Sequence, residues 1–257
     1  MPSNTSPQTW SKDVRTLAFD VGGSGFKGAV LDSEGEMLSE RVRIDTPYPC
    51  PPPVLVSSLK SLVEQLPAHD RVTVGFPGLV RHGRVGNIPS LTRVSYDGDT
   101  DPELVQQWHG FDLASALSTA FGLPTKVAND ADVQGCAVAQ GKGFEFVMTL
   151  GTGVGTALFS EGKLVPHLEL GHAPLRHGDT VEDQLGNLAR KEAGNDTWRD
   201  RVLKAIVAYD RYLFFDHIFI GGGNAKHLDP AELPDNATIV PNTAGITGGV
   251  RIWTLDA

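Results

Sequence analysis

A glycine-rich stretch at residues 20–28 constrains this chain more than any other feature. It reads Asp-Val-Gly-Gly-Ser-Gly-Phe-Lys-Gly and follows Thr16-Leu-Ala-Phe, a run that suits a buried strand. Glycines have no Cβ, so the backbone N–H groups of such a stretch can approach an anion closely. The pattern predicts a phosphate-binding turn between two strands, formed by Gly22, Gly23, Ser24, Gly25 and Lys27.

Two better-known glycine motifs do not fit this stretch. Gly23, Gly25 and Gly28 match the spacing of the dinucleotide fingerprint, but that motif must open a helix, and residues 29–38 read as strand, turn and strand. A P-loop needs glycine before its lysine and a hydroxyl residue after it, whereas Lys27 lies between Phe26 and Gly28. A glycine-rich hairpin without a ligand remains the alternative.

The same pattern recurs about half a chain later. Residues 146–150 read as a strand, Gly151-Thr-Gly-Val-Gly as a second glycine turn, and residues 157–165 as strand, turn and strand. Both copies contain Ser-Glu-Gly. The repeat predicts two lobes built on one kind of unit, residues 14–128 and 129–257, with a second phosphate turn at Gly151, Thr152 and Gly153.

Composition narrows the class of protein. The chain has 257 residues, 40% hydrophobic and 21% charged, as expected of an ordinary globule. A net charge of −9 without a cluster of Lys and Arg argues against nucleic-acid binding, and no run is long enough to span a membrane. Two distant cysteines and the lack of a signal-peptide pattern in residues 1–13 favour the cytoplasm. The expected partner is a small molecule.

Strand and helix patterns alternate along the chain, which predicts the α/β class. Helices are predicted at residues 55–66, 112–121, 130–139, 181–192 and 196–213. Residues 81–107 show little periodicity and are expected to form an irregular insertion.

Asp130 is the leading candidate for chemistry, since it ends a predicted interior strand and begins a helix, where α/β sheets place ligand groups. Capping of that helix is the alternative role. Asn129, with an acceptor and two donors, suits a polyhydroxylated ligand.

A second candidate group follows the second glycine unit. Glu169 and His172 are separated by Leu-Gly, so an acceptor and a tunable donor could converge on neighbouring hydroxyls. Glu182 begins a predicted helix, where an acid is by default solvated. Gly221, Gly222 and Gly223 follow a buried strand and could pack against adenine or simply turn the chain.

Seven motifs in this order resemble those of the ROK sugar kinases. They lie at residues 20–28, 75–78 (Gly-Phe-Pro-Gly), 129–132 (Asn-Asp-Ala-Asp), 150–155, 164–166 (Leu-Val-Pro), 169–172 (Glu-Leu-Gly-His) and 221–223. Within the family, residues 149–159 and 164–172 are most similar to the branch that phosphorylates glucose with polyphosphate.

The resemblance implies a two-lobed actin/hexokinase-like (ribonuclease H-like) fold with the sugar in the cleft between the lobes. It implies Asp130 as general base, with Asn129, Glu169, His172 and Glu182 holding sugar hydroxyls. Asp20 would help place Mg²⁺, the glycine turns would hold phosphates, and Gly221, Gly222 and Gly223 would contact a nucleotide. Family members usually form dimers, so a homodimer is expected, with glucose and polyphosphate or ATP as partners.

The chain also departs from the family pattern. The zinc-binding cysteine cluster is absent after His172, and the usual Asp-Ala-Glu segment reads Asp179-Thr-Val-Glu. Three functions therefore stay open: a sugar kinase that uses polyphosphate or ATP on glucose or mannose, a sugar-binding regulatory protein without catalysis, and an ATPase of the actin or chaperone kind.

Overall fold

The computed structural model of the chain describes residues 10–241 and 244–254, with the side chains of residues 244 and 245 left aside. Most of the N-terminal segment that is predicted not to be a signal peptide lies outside these residues. None of the described helices is both long and apolar enough to cross a membrane.

The first sheet contains the first glycine turn. Its five strands are arranged in the order β3-β2-β1-β4-β7. They are β1 (Thr16–Gly22), β2 (Gly25–Leu31), β3 (Val42–Ile44), β4 (Arg71–Phe76) and β7 (Thr125–Asn129), while β5 (Leu79–Arg81) and β6 (Arg84–Asn87) form a separate hairpin. Strand β1 is antiparallel to β2 and parallel to β4, so the glycine turn is the tip of a hairpin.

The second sheet repeats this arrangement. Its strands follow the order β10-β9-β8-β13-β14. As in the first sheet, three consecutive strands pair antiparallel and the remaining two pair parallel. The five strands are β8 (Phe144–Leu150), β9 (Val154–Ser160), β10 (Lys163–Leu164), β13 (His217–Gly221) and β14 (Ala237–Ile239), and β11 (Pro174–Arg176) pairs with β12 (Asp179–Thr180) outside the sheet. The repeat predicted from the two glycine units is confirmed, because equivalent strands occupy equivalent places.

The helices largely follow the predicted positions. They are α1 (Pro52–Val63), α2 (Pro102–Trp108), α3 (Leu113–Phe121), α4 (Asp130–Val138), α5 (Val181–Leu185), α6 (Asn187–Ala193), α7 (Asn195–Leu213) and α8 (Ala244–Thr247). Helix α3 begins at its Asp112 cap and ends at Gly122, whose φ of 68° suits glycine. The single helix predicted for residues 181–192 is wrong, since Gly186 in extended geometry divides it into α5 and α6.

The segment 81–107 is more regular than its sequence suggests. It contains most of the β5–β6 hairpin and nearly all of α2, whose Asp101 cap accepts a hydrogen bond from the backbone N–H of Glu103. Between them, backbone bonds join Val94 to Asp99 and Asp101 to Thr92. The prediction of an irregular insertion is therefore wrong for much of its length. The strands and the helix in this segment are short and are separated by turn residues, so their periodicity is not evident in the sequence.

Helix α4 lies between the two sheets and contacts strands of both, β4 and β7 on one side and β8 and β9 on the other. Its residues are consequently all buried or half-buried, so no face of α4 is exposed to solvent. The C-terminal helix α8 packs against α4 and against β1 of the first sheet. The division into residues 14–128 and 129–257 stays a prediction, with Asn129 as the last residue of β7.

Candidate active site

A cleft of about 440 Å³ brings most of the predicted site residues together. It is lined by Gly22, Gly23, Ser24, Asn129, Asp130, Gly151, Thr152, Gly153, Glu169, His172 and Glu182, together with residues that the sequence did not single out. Among the described residues, six predicted ones do not line it: Asp20, Gly25, Lys27, Gly221, Gly222 and Gly223.

The first glycine turn is held by the segment that follows β3. Gly22 and Gly25 are opposite one another at the end of the hairpin. The Thr46 hydroxyl donates to the carbonyl of Gly22 at 2.6 Å, and the Tyr48 hydroxyl donates to that of Gly23 at 2.8 Å. Because carbonyl oxygens repel an anion, occupying them with donors favours the N–H face of the turn for phosphate.

The second glycine turn is fixed in a similar way. It connects Leu150 to Val154, which are paired in register. The carbonyl of Gly151 accepts from the side chain of Asn224 at 3.0 Å and from the backbone N–H of Asn187 at 3.1 Å. Both turns thus have the same kind of support, although the supporting residues come from different parts of the chain.

Asn129, rather than Asp130, caps α4. The Asn129 Oδ1 accepts from the backbone N–H of Ala131 at 2.7 Å, and its Nδ2 donates to the carbonyl of Gly78 at 3.1 Å. Asp130 is the first residue of the helix, and its Oδ1 also accepts from Ala131 at 2.8 Å. Asp130 is therefore not needed as a cap, because Asn129 already caps the helix.

The environment of Asp130 suits a general base. Burial raises the pKa of Asp130 to about 7, and the nearby Asp20 carboxylate adds to the increase, against the opposing hydrogen bond from Ala131. A carboxylate with a pKa near neutrality can accept a proton and release it again at the same pH.

Glu169 reaches the cleft from beside a buried histidine. The imidazole of His167 is only 2% exposed, and its Nδ1 lies 2.9 Å from Oδ1 of Asp132. Its Nε2 lies 3.4 Å from Oε1 of Glu169, a side chain that remains 35% exposed. Hydrogen bonding to His167 lowers the pKa of Glu169 against the effect of burial, so the carboxylate facing the cleft is ionised.

Glu182 is not a solvated acid at the start of a helix. Its Oε2 accepts from the backbone N–H of Val154 at 3.0 Å, so it is bonded to the second glycine turn. Thr180 and Asp183 form the capping box of α5 and leave Glu182 for this contact. A Cβ on Gly153 would lie 2.2 Å from Oε2 of Glu182, so a larger residue there would displace this carboxylate from its bond to Val154.

Asp20 and Lys27 face one another across the β1–β2 hairpin. Their side chains form an ion pair with Nζ 3.1 Å from Oδ2, and the residues are in register. Lys27 is thus directed to Asp20, and Asp20 lies close enough to Asp130 to raise its pKa.

The three glycines at the end of β13 support the second glycine turn from outside the cleft. Gly222 has a φ of +86°, and a Cβ there would lie 2.4 Å from the carbonyl oxygen of Leu150. Asn224, which follows them, donates to the carbonyl of Gly151. These contacts favour the chain-turning role of the two that the sequence allowed, and contact with a nucleotide stays a prediction.

One wall of the cleft was missed by sequence reasoning. It consists of Tyr48, Ser90, Arg93, Tyr96 and Asp97, and the last four belong to the segment that was expected to be irregular. The segment Asn87-Ile-Pro, just before Ser90, stands out in the sequence, but no spacing relates Ser90 or Arg93 to Asp130. Arg93 matters most, because it places a cation in a cleft that otherwise contains acidic side chains.

Similarity to known proteins shows the family of this chain. The ROK family pattern matches residues 16–187, two thirds of the chain. This chain belongs to the ROK family. Its two repeated sheets and the cleft are the actin/hexokinase-like fold of that family, as its sequence motifs implied.

Several relatives are similar over nearly the whole chain. The polyphosphate glucokinase of Mycobacterium tuberculosis (strain ATCC 25177 / H37Ra) is 28% identical over 99% of this chain and 98% of its own. A crystal structure of an inorganic polyphosphate/ATP-glucomannokinase from Arthrobacter sp. strain KM is 30% identical, with a TM-score of 0.78 over 94% of this chain and 99% of its own. A ROK glucokinase from Streptomyces griseus, solved with glucose and AMPPNP, shares the fold at 18% identity and a TM-score of 0.70, covering 93% of this chain and 98% of its own. Together the relatives support a sugar kinase, a phosphotransferase.

Proposed function

We propose that this protein transfers a phosphoryl group from inorganic polyphosphate, and less effectively from ATP, to the 6-hydroxyl of glucose. The observation that carries the proposal is Asp130: a half-buried carboxylate with a pKa raised to about 7 lines a cleft between two glycine turns. The same cleft contains Glu169 and His172, which have no task in an ATPase that lacks a sugar.

The reaction follows from these positions. Asn129, Glu169, His172 and Glu182 hold the sugar hydroxyls, and the glycine turns hold the donor phosphates. Asp130 takes the proton of the 6-hydroxyl as that oxygen forms a bond to the terminal phosphorus. The bond from that phosphorus to the rest of the donor breaks, so the polyphosphate becomes one phosphate shorter.

The carboxylates present fit a magnesium ion of the kind that accompanies phosphate donors. Mg²⁺ is usually held by one or two carboxylates, substrate phosphates and several waters, rather than by a closed protein cage. Asp20 supplies one such carboxylate close to Asp130, and the described residues contain no cluster of three or more metal-binding side chains. When bound there, Mg²⁺ would offset negative charge on the transferred group.

The choice of donor rests on relatives and on charge. Two relatives that cover nearly the whole chain carry polyphosphate in their names. In the described part of the cleft, Arg93 is the one Lys or Arg side chain in the lining, opposed by Asp97, Asp130, Glu169 and Glu182. A polyanion needs such a cation, so we assign Arg93 to the donor rather than to the neutral sugar.

The donor and the sugar can be tested together. Purified protein with Mg²⁺ is expected to form glucose 6-phosphate from polyphosphate across chain lengths, with a smaller yield from ATP, and mannose is the second sugar to assay. Arg93→Gln is expected to raise the KM for polyphosphate while leaving the KM for glucose near the wild-type value.

The matched control for that variant is Arg84→Gln. Arg84 is paired with Asp112 at 2.9 Å and does not line the cleft, so its loss should not change either KM. Formation of glucose 6-phosphate from ATP but not from polyphosphate would refute the proposed donor. An unchanged KM for polyphosphate in Arg93→Gln would refute the role of Arg93.

The pH dependence of kcat/KM tests the base. Burial raises the pKa of Asp130 to about 7, so the group is protonated in the free enzyme below that pH and cannot accept a proton. We expect kcat/KM for the sugar to fall as the pH drops through about 7, well above the ordinary range of an aspartate. A profile that stays flat until the pH of an unperturbed carboxyl group would contradict this role.

A further inference from the structure

The imidazole of His167 is buried between two carboxylates that come from different parts of the chain. Asp132 belongs to α4, and Glu169 precedes the 3₁₀ turn at Leu170–His172. The side chain of Asp132 is 5% exposed and that of His167 is 2% exposed, while Glu169 lines the cleft. His167 therefore connects a buried acid to an acid of the proposed sugar site.

The backbone around His167 is held on both sides. Arg81 Nη2 donates to the carbonyl of His167 at 3.0 Å, and the Thr156 hydroxyl donates to the carbonyl of Leu168 at 2.9 Å. Because these hydrogen bonds hold the backbone in place, the His167 side chain has little freedom to move away from Asp132 and Glu169. The imidazole is consequently fixed in position as well as in hydrogen bonding.

The charge of His167 follows from its partners. Burial by itself lowers the pKa of His167, but the hydrogen bond to Asp132 and the nearby carboxylates of Asp132 and Glu169 outweigh that effect and raise it to about 9. Only Nδ1 is hydrogen-bonded, while Nε2 is buried without a hydrogen-bond partner among the described residues and lies 3.4 Å from the Glu169 carboxylate, an ion-pair distance. A carboxylate beside each nitrogen favours the imidazolium form, in which both nitrogens carry a proton. The charged and titratable groups around this cluster are Arg81, Asp130, Asp132, Glu169 and His172.

We infer that His167 is a positioning residue for sugar binding, which holds the Glu169 carboxylate in the cleft while Asp132 fixes the imidazolium. The inference rests on the proposed function, since it takes Glu169 to be a sugar ligand. His167 itself does not touch the sugar or the transferred phosphoryl group. Its loss should therefore weaken sugar binding more than it slows the chemical step.

Direct measurement of glucose binding by calorimetry, without a donor, tests this role. His167→Gln keeps a neutral donor and loses the charge, and hydrogen bonds to charged groups are strong enough that the dissociation constant should rise about tenfold or more. The kcat with saturating sugar should change much less. His69→Gln, at a half-buried position outside the cleft, is the matched control and should bind glucose like the wild type.

The pH profile separates positioning from mere support of the fold. In the wild type, glucose binding should weaken as the pH rises through about 9, where His167 loses its proton. His167→Gln should lack this alkaline change. Asp132→Asn removes the acid that helps to keep His167 charged, so the same change should occur at lower pH.

The outcomes can be told apart. A wild type that binds no hexose would refute the proposed function and this inference with it. A wild type that binds glucose, with His167→Gln binding equally well or keeping the alkaline change, would refute the inference alone. Should His167→Gln unfold, the pH profile of Asp132→Asn decides the question, and an unshifted profile there would refute the inference.

Discussion

Replacing Asp130 with Asn is expected to lower kcat about 10²- to 10⁴-fold, the range that general-base assistance supplies, while glucose binding stays near normal. The amide has nearly the same shape and can still accept the hydrogen bond from Ala131, but it cannot take the proton of the sugar hydroxyl. Product formation with polyphosphate and Mg²⁺ gives kcat, and calorimetry gives the dissociation constant. Wild-type turnover in this variant would refute the role of Asp130.

The same variant has a consequence for stability that checks its folding. A half-buried aspartate whose pKa is raised to about 7 in the folded state destabilises that state at pH values above its unfolded pKa, and this penalty is complete above about pH 7. Asp130→Asn should therefore melt at a higher temperature than the wild type at neutral pH, and the gain should shrink in acid. Asp235→Asn, at an exposed position outside the cleft, is the control and should alter neither kcat nor the melting temperature.

Replacing Gly248 with Ala is expected to lower the free energy of unfolding by about 1 to 3 kcal/mol or more, the usual cost of overpacking. Gly248 follows α8, and a Cβ built there would lie 1.7 Å from the carbonyl oxygen of Val133 in α4. That oxygen belongs to backbone, which cannot move aside as a flexible side chain could. The added methyl group must therefore separate α8 from α4.

Urea or thermal unfolding measures this effect, with Gly223→Ala as the matched change. A Cβ on Gly223 would meet nothing within 4 Å, so that variant should unfold close to the wild type. Equal stabilities for the two variants would contradict the close approach of α8 to α4. Because α4 carries Asp130, a displaced α8 should also reduce activity.

Local patterns predicted much of the fold. The first glycine turn was recognised as a hairpin because strand residues flank it on both sides, and the register of β1 and β2 confirms this. The cap and the terminal glycine of α3 are signals that act within a few residues of the helix ends. The repeated glycine unit predicted two sheets built in the same way, and their equivalent strand orders agree with it.

Other predictions failed or were incomplete where distant segments compete for a residue. Glu182 looked like a solvated acid because its own helix needs nothing more of it, yet it bonds to Val154, 28 positions earlier. Capping was left open as the alternative role of Asp130 because Asp is a favoured cap, but Asn129 is held by Gly78 in a position to cap the helix instead. The homodimer, the cytoplasmic location and the nucleotide contacts remain predictions.

The sequence by itself determined the two glycine hairpins, the α/β class, the family and half of the residues that line the cleft. The hairpins and the α/β class depend on hydrophobic periodicity, glycine geometry and caps, which act between neighbours along the chain. The family and the roles of the site residues came from the resemblance of short motifs to those of the ROK sugar kinases. Only the tertiary structure decided that Arg93 faces the cleft, that α4 is buried between two sheets, and that His167 bonds to Asp132 across 35 positions. Such contacts depend on how separately formed sheets and helices pack, and no local pattern specifies which distant side chains that packing brings together.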